Sequence, residues 1–189
     1  MISNWQFSGA ARTFLAGALL CGTVAAVSGC GTSRPSASAR LSSSPTDVGA
    51  VYPDVAGHFR ARFRGKPTAR EGRGTIGGNS FTAHYEVSTK PYPTEVGEET
   101  VKTPLPSSDY QATLRVGEDN FAAVANLTPK KPSVTFFRGY PARQVTMSAT
   151  DGETYTMLAF FYSKRRFYWV FAPAGQRFHG VVQSFALLQ

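Results

Sequence analysis

The chain has 189 residues, 42% of them hydrophobic and 17% charged, a globular composition of a size that suits one domain once the ends are set aside. Its formal charge of +8 favours anionic partners without naming one. With only two cysteines, Cys21 and Cys30, zinc ribbons and thioredoxin-like motifs are excluded.

At the start, one positive charge at Arg12 precedes Phe14 to Val27, about fourteen residues that are almost all apolar or small. Such a stretch is too short to cross a ~30 Å hydrocarbon core as a helix and has signal-peptide length. It closes on Val27-Ser28-Gly29-Cys30, which resembles the bacterial lipobox, with an aliphatic residue three positions before the cut, then small residues, then cysteine. The resemblance implies a diacylglyceryl thioether on Cys30 and cleavage between Gly29 and Cys30, so residues 1–29 are expected to leave as a signal peptide. Cys21 fits poorly because the large Leu20 precedes it. The competing readings are an ordinary signal peptide with an incidental cysteine and an internal apolar helix.

If the cut falls there, loss of Arg12 leaves 19 basic against 12 acidic groups and no thiol. The exported domain then depends on its core alone. The expected location is the extracytoplasmic face of the cell membrane, where two acyl chains hold far more firmly than one. Residues 30–50 read as the lipidated cysteine and a tether, because Gly31 to Thr46 is rich in Ser and Pro and offers almost nothing to a core. Sixteen such residues span roughly 20 Å.

The globular domain is expected over 51–189. His58 to Arg64 alternates strictly, with Phe59, Ala61 and Phe63 on one side and His58, Arg60, Arg62 and Arg64 on the other. That pattern predicts a half-buried strand with one basic face, continued by Lys66. A second run, Phe81 to Val87, reads as its hairpin partner, and the glycine-rich Gly72 to Gly78 between them as a turn rather than a phosphate cradle. Residues Lys90 to Pro106, rich in Pro, Thr and Glu, show no sustained period and read as a long exposed connection.

Ser107-Ser108-Asp109 then opens a helix to about Asn126, with Tyr110, Leu114, Phe121 and Val124 on its apolar side. Strands follow over Val134 to Phe137 and Gln144 to Ala149, then Tyr155 to Tyr162 after an Asp151-Gly152 turn, and Phe167 to Phe171 after Ser163 to Arg166. Both faces of the last two are apolar, so layers are required on both sides of the sheet. The helix after Ser107 supplies one and a C-terminal helix, with Phe178, Val181, Val182 and Phe185 at i, i+3, i+4 and i+7, supplies the other. The expected fold is α+β, an α/β/α sandwich with a mainly antiparallel sheet.

This order of elements, with Phe63-Arg-Gly-Lys-Pro67 after the first strand, Gly139-Tyr-Pro-Ala-Arg143 opening a later one, paired aromatic strands and a final Phe178 to Leu187, resembles the PsbP/Mog1-like fold over residues 55 to 188. The fold hosts photosystem accessory proteins, a regulator of the Ran GTPase and bacterial lipoproteins, so the resemblance carries no activity and no catalytic residues.

No nucleophile elbow, metalloprotease motif, phosphate-binding loop or dinucleotide fingerprint is present in the sequence. Of the three histidines, His58 and His84 are placed to face each other across the first hairpin, without dense metal-ligand spacing. Neither a metal nor a cofactor is expected. The leading expectation is a membrane-anchored, non-catalytic binding or accessory module. Its partners would be the membrane, through the anchor, and an anionic lipid, acidic wall polymer or envelope protein, through His58, Arg60, Arg62, Arg64 and Lys66. The opposing reading makes that face a solvated sheet edge whose charge discourages aggregation. A lipid or cell-wall precursor carrier with an apolar cavity is the alternative, and a cell-envelope hydrolase the third. Nucleic acid is not expected as a partner.

Overall fold

The computed structural model describes residues 6–7, 49–76 and 79–188. The apolar segment Phe14 to Val27, the lipidation candidate Cys30 and the Ser/Pro-rich tether to Thr46 lie outside the described residues. The class is α+β, and every strand pairing described is antiparallel.

In chain order the strands are β1 (Gln6–Phe7), β2 (Ala50–Asp54), β3 (Phe59–Phe63), β4 (Thr68–Ile76), β5 (Asn79–Ser88) and β6 (Thr94–Val101). After the helix α1 (Tyr110–Ala125) come β7 (Thr128–Phe137), β8 (Tyr140–Ser148), β9 (Thr154–Phe161) and β10 (Arg166–Pro173). The helix α2 (Gln176–Ser184) and β11 (Ala186–Leu187) complete the chain. The large sheet has the order β1-β4-β5-β6-β10-β9-β8-β7, and a small sheet has the order β11-β3-β2. The short β1 falls within the stretch expected to be cleaved.

The C-terminal strands follow their sequence pattern closely. Strand side chains point alternately to the two faces, and the buried side chains accordingly sort into two clusters. Tyr155, Met157, Ala159, Phe161, Phe167, Trp169 and Phe171 join Tyr110 and Leu114 on the α1 side. Leu158, Phe160, Tyr168 and Val170 join Phe178, Val181 and Phe185 of the α2 side, together with Phe59, Ala61 and Phe63 of the small sheet. Tyr110 stacks on Phe161 with ring centroids 4.1 Å apart, which fixes the start of α1 against β9. That helix ends at Asn126, whose φ of 54° is left-handed, a conformation Asn tolerates better than most residues.

Three expectations are corrected. Phe81 to Val87 does lie in a strand, β5, but it pairs with β4 and β6 and not with β3. The glycine-rich Gly72 to Ile76 belongs to β4 rather than to a turn. Its alternation is hidden because Gly72 and Gly74 contribute no side chain to either face. Most consequential, the expected connection Lys90 to Pro106 contains β6, hydrogen-bonded between β5 and β10 and buried along nearly its whole length. Glu95, Glu98 and Glu99 gave it a solvated appearance, yet all three are buried.

Candidate functional site

Strand β3 is the middle of the small sheet, flanked by β2 and β11, so its basic face is not an exposed strand edge. Phe59, Ala61 and Phe63 are buried against the large sheet, which turns Arg60 and Arg62 to the other side. Arg60 is exposed and Arg62 half-buried. The backbone N–H of Arg62 donates to Ser184 Oγ at 2.8 Å, tying β3 to the end of α2, while its side-chain Nε is enclosed without a hydrogen-bond partner. Arg64 and Lys66 follow, both exposed.

His58 does not join this row. Its φ of 55° places it in a left-handed turn before the strand begins, where the period of two does not apply. Its Nδ1 instead lies 3.2 Å from Glu98 Oε2 on the large sheet. His84 is likewise separate, 3.6 Å from Glu71 Oε1. Among the described residues no group of three or more His, Cys, Asp or Glu side chains is arranged to hold a metal ion.

Two residues that the alternation pattern does not include complete the basic face. The guanidinium of Arg64 lies 5.5 Å from the centroid of the Tyr92 ring, and that of Arg177, in the first turn of α2, lies 4.6 Å from the same ring. A cation over an aromatic face is attracted by the ring quadrupole, and here one ring serves two cations. Gly65 allows this approach, because a Cβ there would sit 2.0 Å from the Lys90 carbonyl oxygen and 2.8 Å from Ser88 Oγ. The loop that carries Tyr92 therefore packs directly beneath the end of β3. Guanidinium groups present planar forks of donors that match phosphate and carboxylate oxygens.

A second constellation lies in β6. Glu98 is buried but well partnered, by His58, by Arg166 Nε at 3.1 Å and by the Thr100 hydroxyl. Glu95 accepts a hydrogen bond of 2.8 Å from Trp169 Nε1, and burial pushes its carboxyl up to about 7 against the opposing effect of that bond. Glu99 is raised well above the ordinary range by burial alone. Elsewhere, Glu118 of α1 is held by Arg143 Nε at 2.9 Å and is also raised, chiefly by burial.

No protein-family model, curated protein or solved structure matches the chain. Among the described residues no helix is long and apolar enough to cross a membrane.

Proposed function

We propose that this chain is a lipid-anchored extracytoplasmic module that docks on phosphate-bearing anions through the face formed by Arg60, Arg62, Arg64 and Arg177. The observation that supports it best is the pair of guanidiniums, from β3 and α2, on the single ring of Tyr92. An anion bound beside that ring would accept hydrogen bonds from guanidinium donor forks. On this reading Cys30 carries the anchor, residues 31 to about 46 the tether, and the domain begins near β2. The sandwich of PsbP/Mog1-like kind is the architecture we adopt, with α1 on one face of the large sheet and α2 with the small sheet on the other.

Phosphate groups occur both on lipid headgroups and on wall polymers. Anionic phospholipid vesicles and a soluble phosphodiester polymer, offered in parallel at low salt, separate those two sources. The anchor has its own test, because Cys30→Ala is expected to leave an uncleaved precursor or to release the protein from the membrane fraction. Retention in that fraction with an unmodified mature N-terminus contradicts the anchor.

A further inference from the structure

A strand at a sheet edge offers unpaired N–H and C=O groups to any extended chain, and proteins guard such edges with charge, proline or a bulge. The large sheet ends at β7 on one side and, on the other, at β4 with the two-residue β1 beside it. Arg70, Glu71 and Arg73 guard β4. The first half of β7 is guarded too, by Pro129, Lys130, Lys131 and Pro132. A bulge falls there, where Lys131, with φ of 49°, and Pro132 stand against the single residue Val145 of β8. The second half, residues 133–137, has neither charge nor proline, and it exposes Val134 at 63% and Phe136 at 72%.

The turn into β8 decides which backbone groups of this half are free. Arg138 and Gly139, with φ of 53° and 86°, form a two-residue hairpin turn, so the flanking pair Phe137 and Tyr140 exchanges hydrogen bonds. Bonded and non-bonded pairs alternate along an antiparallel ladder, which makes Thr135 with Ala142, and Ser133 with Gln144, the next bonded pairs. Phe136 and Val134 stand opposite Pro141 and Arg143 as non-bonded pairs, a place where Pro141 needs no N–H. The N–H and C=O groups of Val134 and Phe136 therefore point outward, and among the described residues no strand pairs with them. The same two residues thus present both free backbone groups and exposed apolar side chains. Phe137, facing the other way, packs on Phe160 and Phe185 and holds the edge in place.

From Leu127 to Gln144 the sequence holds Lys130, Lys131, Arg138 and Arg143 and no Asp or Glu. Arg143 is taken by Glu118 at 2.9 Å. Lys130, Lys131 and Arg138 flank the open segment, are exposed, and join no salt bridge among the described residues. A second copy of β7 laid antiparallel about Thr135 brings Arg138 of each copy near Lys131 of the other, which their like charge opposes. We propose that residues 133–137 of β7 dock an extended acidic segment of a partner protein, which adds a strand beyond β7. Its backbone bonds to Val134 and Phe136, alternate apolar side chains cover theirs, and carboxylates at its ends meet Lys130, Lys131 and Arg138.

The probe is a fluorescein-labelled peptide, Glu-Asp-Thr-Val-Thr-Val-Thr-Asp-Glu, titrated by anisotropy with the detergent-extracted full chain. Saturable binding is expected, weakened about tenfold or more by Val134→Thr with Phe136→Thr, which keeps β-branched strand formers and removes apolar surface. An unchanged circular dichroism spectrum checks the fold of that variant. With the wild-type chain, N-methylation of one alternate set of peptide residues is expected to abolish binding and of the other set to leave most of it, because only one set faces β7. A peptide with Lys at each Asp and Glu is expected not to bind. Arg64→Ser with Arg177→Ser is expected to leave peptide binding unaltered, so this site can fail without the anion-binding face and the reverse. No saturable binding, equal loss from the two methylated peptides, equal affinity in the double threonine variant, binding of the Lys peptide, or loss of binding in the arginine variant overturns the proposal. A dimer of the chain that Val134→Thr with Phe136→Thr dissociates assigns the edge to a second copy and overturns the acidic partner.

Discussion

Trp169 and Glu95 are joined across neighbouring strands by an indole N–H to carboxylate bond of 2.8 Å, and the ring that makes this bond lies flat over Gly97. The glycine is there because any side chain would occupy the space of the ring. Gly97→Ala is therefore expected to cost about 1–3 kcal/mol, the range for overpacking a core. In a Trp169→Ala background, which itself is expected to lose about 3–5 kcal/mol, the same change should be close to neutral. Urea melts of the two single variants and the double variant measure this coupling, and additive losses contradict the contact.

The Glu95 carboxyl also sets a pH dependence. Its folded-state pKa, about 7, lies above the unfolded value near 4.3, so the fold prefers the protonated acid. Its contribution is complete below about pH 4 and is lost as pH rises through 7. At about 1.4 kcal/mol per unit, the loss over that window is roughly 4 kcal/mol. Glu99 is shifted in the same direction, and Tyr85, facing Glu95, is raised by burial and by that carboxylate. Glu95→Gln is accordingly expected to flatten part of the fall in melting temperature between pH 5 and pH 8, and Glu95→Gln with Glu99→Gln to flatten more. A wild-type melting temperature that rises over this interval contradicts the assignment.

How legible these features are in the sequence depends on where each residue finds its partner. Tyr155 to Phe161 and Phe167 to Phe171 are readable because the alternation itself sorts them into the two clusters, and because strands buried on both faces leave long aromatic runs. The helices are readable from Tyr110 and Leu114 and from Phe178, Val181 and Phe185. By contrast, β6 is not, since Glu95 and Glu98 are tolerated in a central strand chiefly through Trp169, His58 and Arg166, all of them remote in the chain. A local window sees three carboxylates and concludes solvent.

The basic face divides in the same way. Arg60 and Arg62 are legible from the period of two, which the buried Phe59, Ala61 and Phe63 enforce. His58 is not, because its left-handed backbone ends the alternation one residue early. Tyr92 and Arg177 come to Arg64 through tertiary packing, and no local pattern marks them. The close approach at Gly65 is the nearest thing to a signal, as a glycine between a strand and Lys66-Pro67 is read as a turn and not as a seat for another loop.

Under the proposed function, the two guanidiniums on Tyr92 form an anion-binding face rather than a merely basic surface. The most direct measurement is the salt needed to elute the detergent-extracted full chain from a phosphate-bearing cation-exchange resin, comparing Arg64→Ser with Arg177→Ser against Lys130→Ser with Lys131→Ser. Both pairs remove two positive charges, and Lys130 and Lys131 are exposed on β7, an edge strand of the large sheet. Screening weakens both kinds of contact as the Debye length falls from about 10 Å at 0.1 M salt to about 3 Å at 1 M. A built site predicts that the arginine pair elutes at clearly lower salt than the lysine pair, while an equal shift for the two pairs reduces the face to its net charge and contradicts the account.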